Sequence, residues 1–200
     1  GYVKDLTNDK EFQLNSQPLY SASLIKAFVM AQTYANMDTV LQSEAAKMKK
    51  DVSDPAVSTK VNDLLWNMIT VSDNDAANTL TTYLGGGDSA AGMQAVNSFC
   101  QAHGYDQTHM GRMLLASNEN DDNYTSVGDC GHLLQEIYKQ DTSGYTHAAD
   151  MFNLLKAQTR CNKIPAQLPE GVKTANKTGE LDNVENDAGI TVSYTHLTLP

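Results

Sequence analysis

A serine and a lysine lie three residues apart at the start of a helical pattern, as Ser23-Leu24-Ile25-Lys26. Positions i and i+3 share a helix face about one turn apart, so the hydroxyl and the amine would be neighbours. A serine hydroxyl becomes an effective nucleophile when a base takes its proton. A lysine amine can be that base when burial or nearby cations lower its pKa. The pair therefore predicts nucleophilic catalysis, although a capped amphipathic helix can produce the same spacing by chance.

Two further motifs follow in chain order, and each occurs once. Ser72-Asp73-Asn74 lies between two helical patterns, where it would also be explained as an ordinary helix cap. Lys177-Thr178-Gly179 ends a predicted strand. There a cation and a hydroxyl can hold a carboxylate, and the glycine lets a ligand approach the backbone. The alternative is an exposed strand end with a turn glycine. Each motif alone is weak, but their order and the elements that carry them favour one shared site.

The elements that must position these motifs follow from hydrophobic periodicity. Strand patterns occupy residues 1–17, 172–178 and 188–194, and helical patterns fill most of the chain between the first and the second of these ranges. We therefore predict an α+β fold, with one antiparallel sheet formed by both chain ends, packed with helices, plus a mostly helical lobe. Residues 104–126 are irregular and polar, and a connection of that length is usually functional or disordered. The helical patterns start at Ser23, Asp54-Pro55, near Asp75 and at Asp88 or Ser89, and cover 127–139 and 147–159.

Composition narrows the classes of partner and cofactor. The formal charge is −10, from 24 acidic and 14 basic residues, and this argues against nucleic acid or an anionic membrane as partner. The histidines and cysteines lack metal-ligand spacing, so we expect no metal and no cofactor. Cys100 and Cys130 could form a disulfide in an oxidising compartment or remain buried thiols, and both possibilities stay open. Neither a leader peptide nor a membrane-spanning stretch is recognisable in the sequence.

The three motifs together resemble those of class A β-lactamases and penicillin-binding proteins. Longer strings sharpen the resemblance, namely 72–80 followed by 84–86, 163–179 and 187–190. It covers about residues 1–190, which would form one β-lactamase-like domain, whereas residues 191–200 do not resemble the family. The terminal helices of the family have no counterpart here, so we expect a fragment of the family fold.

The resemblance implies roles for the residues of the first two motifs. Ser23 would attack a carbonyl carbon and form an acyl-enzyme. Lys26 would accept the serine proton or tune the network that does so. Ser72 would relay a proton to the leaving nitrogen. Asn74 would hold Lys26 and hydrogen-bond the amide side chain of the substrate.

The resemblance also implies how the third motif binds substrate. Lys177 and Thr178 would hold the substrate carboxylate and help the proton relay, with Gly179 beside them. The backbone amides of Ser23 and Glu180 would form the oxyanion hole, and such donors typically lower the barrier by about 3–4 kcal/mol each. The carboxylate of Glu180 is unusual there and would repel anionic substrates.

Class A β-lactamases also use a glutamate on a long loop to activate the water that frees the acyl-enzyme. The family spacing places this residue near Thr108 and His109, neither of which is a carboxylate. Glu119 is the nearest glutamate and our candidate for the deacylation base, with Asp121 and Asp122 close by. His109 is a second candidate because an imidazole can accept a proton at neutral pH.

These observations lead to ranked functional hypotheses. The first is class A β-lactamase-like hydrolysis of a β-lactam amide through an acyl-enzyme. One alternative is a D,D-peptidase that acts on peptidoglycan stem peptides and clears β-lactams slowly. The other is a non-catalytic penicillin-recognising module. The expected partner is a small-molecule β-lactam or a stem peptide, and the expected state is a monomer outside the cytoplasmic membrane of a bacterium.

Overall fold

The computed structural model describes residues 1–139 and 147–192, in which short strands near both ends flank a block of helices. This arrangement confirms the predicted α+β class. Periodicity did not predict the second helix, because half of its residues are polar or charged and only three of its side chains are buried. The helices are α1 (Ile25–Ala35), α2 (Met37–Met48), α3 (Pro55–Thr70), α4 (Asn74–Leu84), α5 (Ser89–Ala102), α6 (Val127–Lys139) and α7 (Ala148–Lys156). The strands are β1 (Tyr2–Asp5), β2 (Lys10–Gln13), β3 (Leu19–Tyr20), β4 (Tyr124–Thr125), β5 (Lys173–Leu181) and β6 (Val184–Val192).

The strands of the described ranges pair as three antiparallel two-stranded sheets, β1 with β2, β3 with β4 and β5 with β6. The hairpins from the two chain ends face each other across a cavity of about 1110 Å³ that is also lined by α6. The predicted single sheet is therefore present as separate hairpins within these ranges. β5 and β6 also extend beyond the predicted strands and leave a loop of only Asp182 and Asn183 between them. The predicted strand end at Tyr194 lies outside the described residues.

Aspartate caps begin three of the helices. The side chains of Asp54, Asp73 and Asp88 accept backbone N–H groups at the starts of α3, α4 and α5, at 2.9, 2.8 and 2.7 Å. Such caps satisfy amides that have no partner within the helix. The cap at Asp73 therefore fixes where α4 begins, and it places Asn74 in the first turn with Ser72 just before it.

Helix α1 runs through the hydrophobic core. Each of its side chains from Ile25 to Thr33 is buried, and the core residues of α3 to α7 belong to the same cluster. Lys26 is part of this buried stretch, so the fold carries an amine into an apolar interior. No helix in the described ranges is long and apolar enough to cross a membrane.

The three cysteines are free thiols, and Cys100 and Cys130 are buried in the core. Of the two possibilities left open by the sequence, the structure contains the reduced one. Burial raises the pKa of each of these two thiols to about 12, so both are protonated at neutral pH. Cys161 is exposed.

Candidate active site

The first motif lies where a 3₁₀ turn, Ala22–Leu24, leads into α1. Ser23 is half-buried on this turn, and Lys26 follows in the first turn of α1 with a fully buried side chain. Lys26 Nζ lies 3.0 Å from Ser23 Oγ. Ala22, which precedes the serine, has a φ of 46° in the left-handed region that side chains disfavour. Strain of this kind is common beside reactive groups and is held by the surrounding packing.

The second motif contacts the same lysine. Lys26 Nζ donates to Ser72 O at 2.6 Å and to Asn74 Oδ1 at 2.7 Å, and it lies 3.0 Å from Ser72 Oγ. Ser72 has a φ of 61°, and the next amide, of Asp73, is bonded to Asn67 O at 3.0 Å. The turn between α3 and α4 therefore holds the Ser72 hydroxyl over Lys26.

The third motif brings a second lysine to the same hydroxyl. Lys177, on β5, is only 1% exposed, and its Nζ lies 3.0 Å from Ser72 Oγ. The amine also donates to Thr178 O at 2.7 Å. Ser72 Oγ is thus 3.0 Å from the Nζ atoms of both Lys26 and Lys177. Thr178 lies next to them with a buried side chain.

The two amines are held at pKa values well below that of an ordinary lysine. Burial lowers the pKa of Lys26 to about 8, and the charge of Asp73 opposes part of this shift. Burial also lowers the pKa of Lys177 to about 7, with further lowering from the charges of Lys26 and Arg160. A neutral lysine is a base. Both groups can therefore exchange protons near neutral pH, which an exposed lysine does not do.

Gly179 packs against the turn that carries Ser23. A Cβ atom there would lie 2.8 Å from Ser21 O, 3.0 Å from Leu24 N and 3.1 Å from Ser23 N. The absence of a side chain therefore lets β5 pack directly on the turn that carries Ser23. The approach of a ligand to this glycine, expected from the sequence, stays a prediction.

The two amides predicted for the oxyanion hole lie on these packed segments. Ser23 belongs to the opening turn of its helix, where amides lack a preceding helical carbonyl. Leu181 and Val184 close the β5–β6 hairpin, so the alternation of an antiparallel ladder directs the Glu180 amide away from β6. The Glu180 carboxylate pairs with Lys163 at 3.2 Å, which offsets its negative charge.

Asparagine side chains hold the irregular segment between α5 and α6 in place. Asn97 binds the main chain of Met110 through both its oxygen and its nitrogen, at 2.7 and 3.0 Å. Asn78, on α4, binds Leu114 in the same way, at 2.8 and 3.0 Å. Because Asn78 follows Asn74 by one helical turn, this contact fixes Leu114 beside the cleft.

An ion pair closes the same segment on itself. Arg112 Nε lies 2.7 Å from Asp122 Oδ1, and both side chains are largely buried. Asn123 Oδ1 accepts the amides of Gly111 and Arg112 at 2.9 and 3.1 Å. Residues 111–123 therefore form a loop of defined shape.

None of the predicted deacylation candidates contacts the lysine and serine cluster. Glu119 is exposed, and among the described residues its carboxylate makes no hydrogen bond or ion pair. The ring of His109 lies 2.6 Å from Asp121 on the surface. Thr108 is buried against Asp129 at 2.8 Å. Sequence analysis missed Leu114 as the loop residue held next to the cleft, although its partner Asn78 lies within the quoted 72–80 string.

A comparison of the amino-acid sequence with models of known families assigns the family. The model of the Beta-lactamase enzyme family matches residues 1–196. The chain belongs to the Beta-lactamase enzyme family. Membership makes it a serine hydrolase of the β-lactamase kind, as the motifs predicted. A search of curated proteins finds no match.

Solved structures of β-lactamase-like proteins share this fold. The structure of PBP-A has 22% identity and a TM-score of 0.77, covering 96% of this chain and 75% of that chain. An ancestral class A β-lactamase, GNCA, has 21% identity and a TM-score of 0.75, covering 97% and 79%. The β-lactamase from Sphaerobacter thermophilus DSM 20745 has 20% identity and a TM-score of 0.69, covering 94% and 75%. At these identities the likeness shows the fold that class A β-lactamases and PBP-A have in common.

Proposed function

We propose that this chain opens the amide of β-lactams through an acyl-enzyme on Ser23. One observation carries the proposal: the Ser23 hydroxyl lies 3.0 Å from an amine whose pKa is about 8, and that amine lies 3.0 Å from a second hydroxyl, of Ser72. Hydrogen-bonded nucleophile, base and proton relay are what acyl transfer through a serine requires.

Acylation begins with transfer of the Ser23 proton to the neutral form of Lys26. The Ser23 oxygen then bonds to the substrate carbonyl carbon, and the carbonyl oxygen becomes an oxyanion. The amides of Ser23 and Glu180 donate to this oxyanion in the proposed mechanism. Because they belong to backbone segments packed through Gly179, they need little reorganisation during the reaction.

Collapse of the tetrahedral intermediate breaks the carbon–nitrogen bond of the amide. In the proposed mechanism the Ser72 hydroxyl gives its proton to the leaving nitrogen. It is reprotonated by Lys26, which holds the proton from Ser23 and whose Nζ lies 3.0 Å from Ser72 Oγ. The proton taken from Ser23 thus reaches the leaving group, and the acyl-enzyme remains.

Substrate binding follows from the charge of the cleft. Lys177 and Thr178 would hold a carboxylate of the substrate, and the Asn74 amide would bind its side-chain amide. A β-lactam antibiotic and a stem peptide of peptidoglycan carry both groups. We propose that the protein meets such molecules outside the cytoplasmic membrane of a bacterium.

Intact-protein mass spectrometry after mixing with a penicillin tests the proposal. A β-lactamase gives a transient adduct with the mass of the whole antibiotic, followed by hydrolysed product. Nitrocefin hydrolysis measures the same turnover by absorbance. The absence of any adduct would leave the non-catalytic module as the remaining hypothesis.

A second function, that of a D,D-peptidase, is favoured by the loop beside the cleft. The loop residue that Asn78 holds beside the cleft is Leu114, whose side chain has no group that could activate water. Glu119 is exposed, and its carboxylate contacts no group of the lysine and serine cluster. An acyl-enzyme without a base for its hydrolysis would clear slowly, as in penicillin-binding proteins.

The lifetime of the adduct separates these two functions. A penicillin adduct that persists for hours, together with release of D-alanine from a model stem peptide, supports the D,D-peptidase. An adduct that disappears within seconds, with many turnovers, supports the β-lactamase.

A further inference from the structure

The segment that follows α7 joins the two elements that position Ser72 and Lys177. Gln158 is buried, and its Nε2 donates to Ile69 O at 3.1 Å, in the last turn of α3, and to Asn176 O at 3.3 Å, on β5. Ser72 lies two residues beyond the end of α3, and Lys177 follows Asn176 directly. One side-chain amide therefore links the supports of both groups.

The side chain of Gln158 is held in one orientation by its neighbours. Its Oε1 accepts the amide of Arg160 at 3.0 Å, which leaves both hydrogens of Nε2 for the two carbonyl groups. The amide and the hydroxyl of Thr159 bind Thr70 O, at 3.1 and 2.7 Å. Asn176 Nδ2 donates to Arg160 O at 3.4 Å. The segment is thus bonded separately to α3 and to β5, and Gln158 takes part in both attachments.

The contact between Lys177 and Ser72 depends on this segment. α3 and β5 each pack more extensively on α7 than on each other. The 3.0 Å contact between Lys177 Nζ and Ser72 Oγ spans from β5 to the turn after α3, so its length follows from how these two elements are held together. The contact between Lys26 and Ser23 lies within one helical turn and does not pass through the segment.

Alignment of Ser72 with Lys177 matters most when the leaving group needs a proton. In the proposed mechanism Ser72 protonates the leaving nitrogen, and the ammonium form of Lys177 stabilises the oxygen that loses this proton. An amide nitrogen leaves only when it is protonated. The sulfur of a thioester leaves as a thiolate without a proton, because the pKa of an ordinary thiol is about 8.5. Misalignment should therefore slow the opening of amides more than that of thioesters.

We propose that Gln158 is a positioning residue for the proton relay, which holds Lys177 against Ser72 and so favours substrates whose leaving group is a nitrogen. The inference rests on the proposed function, because it concerns the proton relay of the same site. Gln158 is 6% exposed, so it acts through Ser72 and Lys177 and not by touching the substrate.

Stopped-flow acylation of Gln158→Met by a penicillin and by a carboxylate-bearing thioester of N-benzoyl-D-alanine tests the proposal. The ratio of the penicillin rate constant to the thioester rate constant should fall about 10-fold or more, because a positioned proton donor assists only the amide. Both compounds carry a carboxylate, so a change in carboxylate binding affects both. The matched control is Gln32→Met, which removes a similarly buried amide that donates to Ala95 O at 3.4 Å and should leave the ratio unchanged.

Two kinetic results would overturn the proposal. One is an unchanged penicillin rate in Gln158→Met. The other is an equal loss with both compounds, which would show that Gln158 only maintains the structure. Thr159→Val is a milder variant, because it keeps the backbone bond to Thr70 O and loses the hydroxyl bond, and it should lower the ratio by less. If Gln158→Met does not fold, an unchanged ratio in Thr159→Val decides against the proposal.

Carbon-13 NMR of the lysine ε-carbons distinguishes failure of this proposal from failure of the proposed function. The Lys177 signal, identified by its absence in Lys177→Met, should titrate with a pKa of about 7 in the unaltered protein. In Gln158→Met the titration should move up by about one pH unit or more, because an amine released from Ser72 gains water. An unchanged titration would overturn the proposal even without a substrate. If the titration moves but neither compound acylates the unaltered chain, the proposed function fails, whereas the positioning of Lys177 by Gln158 is supported.

Discussion

Many polar contacts stabilise both the cleft and the loop at residues 111–123, but the charged groups of the two regions have different partners. In the cleft, Lys26 and Lys177 are buried with hydroxyl, amide and carbonyl partners and without a carboxylate in contact. In the loop, the cation of Arg112 is paired with Asp122, and the residue held against α4 is Leu114. The cleft therefore keeps reactive amines unneutralised, whereas the loop neutralises its charge within itself.

This difference separates the two halves of the proposed reaction. Acylation needs a nucleophile, a base and a proton relay, and the cleft has hydrogen-bonded groups for each. Deacylation needs a base that activates water, and no carboxylate of the loop contacts the cluster within the described ranges. The predictions below change one region at a time, so that each half of the reaction can be measured alone.

The largest effect is expected from Ser23→Ala. Removal of the nucleophile should lower penicillin labelling by at least about 1000-fold, because no other hydroxyl in the cleft has the same partners. The midpoint of thermal unfolding should change little. The control is Ser58→Ala, which removes an exposed hydroxyl on α3. Labelling that survives in Ser23→Ala would disprove the choice of nucleophile.

Lys26 should control the pH dependence of acylation. A base with a pKa of about 8 gains its neutral form as pH rises, so the acylation rate should rise about tenfold per pH unit below 8 and level off above it. Lys26→Ala should lower the rate by about 100-fold or more and remove this rise. Rates that continue to rise through pH 9.5 would show that the amine has an ordinary pKa.

A carboxylate at position 114 should improve deacylation. Leu114→Glu would place a base on the backbone that Asn78 holds, and we expect release of the penicillin adduct to accelerate about 10- to 100-fold. Acylation should be nearly unchanged. The matched control is Leu115→Glu, because Leu115 is the next residue and its side chain is 80% exposed. Equal adduct lifetimes in both variants would contradict the placement of Leu114 beside the acyl group.

Replacing Lys177 by Met should abolish rapid acylation and stabilise the fold. The folded pKa of about 7 lies below the ordinary lysine value, so the unfolded chain binds more protons between about pH 7 and 10.5. The free energy of unfolding therefore rises with pH in that window. Lys177→Met should raise it by about 2–4 kcal/mol at pH 7, with a smaller slope above that pH, because no buried cation remains at this position. Urea unfolding at several pH values measures both, and Lys60→Met should have no effect.

The smallest effect is expected from Asn78→Ala. This change leaves the amide and the carbonyl of Leu114 without their side-chain partner and should lower the free energy of unfolding by about 1–3 kcal/mol. Limited proteolysis should then cut within residues 111–123 sooner than in the unaltered protein. Asn153→Ala, at an exposed position of α7, is the control. Equal cleavage in the two variants would show that Asn78 does not hold the loop.

The sequence predicted the cleft better than the loop for a physical reason. Each of the three motifs is a run of neighbouring residues on one element, so local spacing determines how its side chains are presented. Leu114 is held by Asn78, which is 36 residues away, and no local pattern records such a contact. The extra length of β6 was also missed, because Glu185 to Asp187 are polar and interrupt the expected alternation.

The packing of Gly179 could also not be predicted from the sequence alone. A glycine after a lysine and a threonine is compatible with a turn, a ligand contact or close packing. The 2.8 Å that would separate a Cβ atom from Ser21 O shows that close packing applies here. The fold class and the convergent residues could thus be predicted, whereas the reason for an individual small residue could not.

The close packing of Gly179 against the Ser23 turn has a consequence for substrate size. Because β5 packs directly on the turn of Ser23, a shift of either segment would require the other to move. If the proposed acyl-enzyme forms, we expect a bulkier acyl group to be accommodated on the opposite wall, where Leu114 is held by side-chain contacts rather than by a strand. Substitutions in residues 111–123 should then change which substrates fit more readily than substitutions in β5.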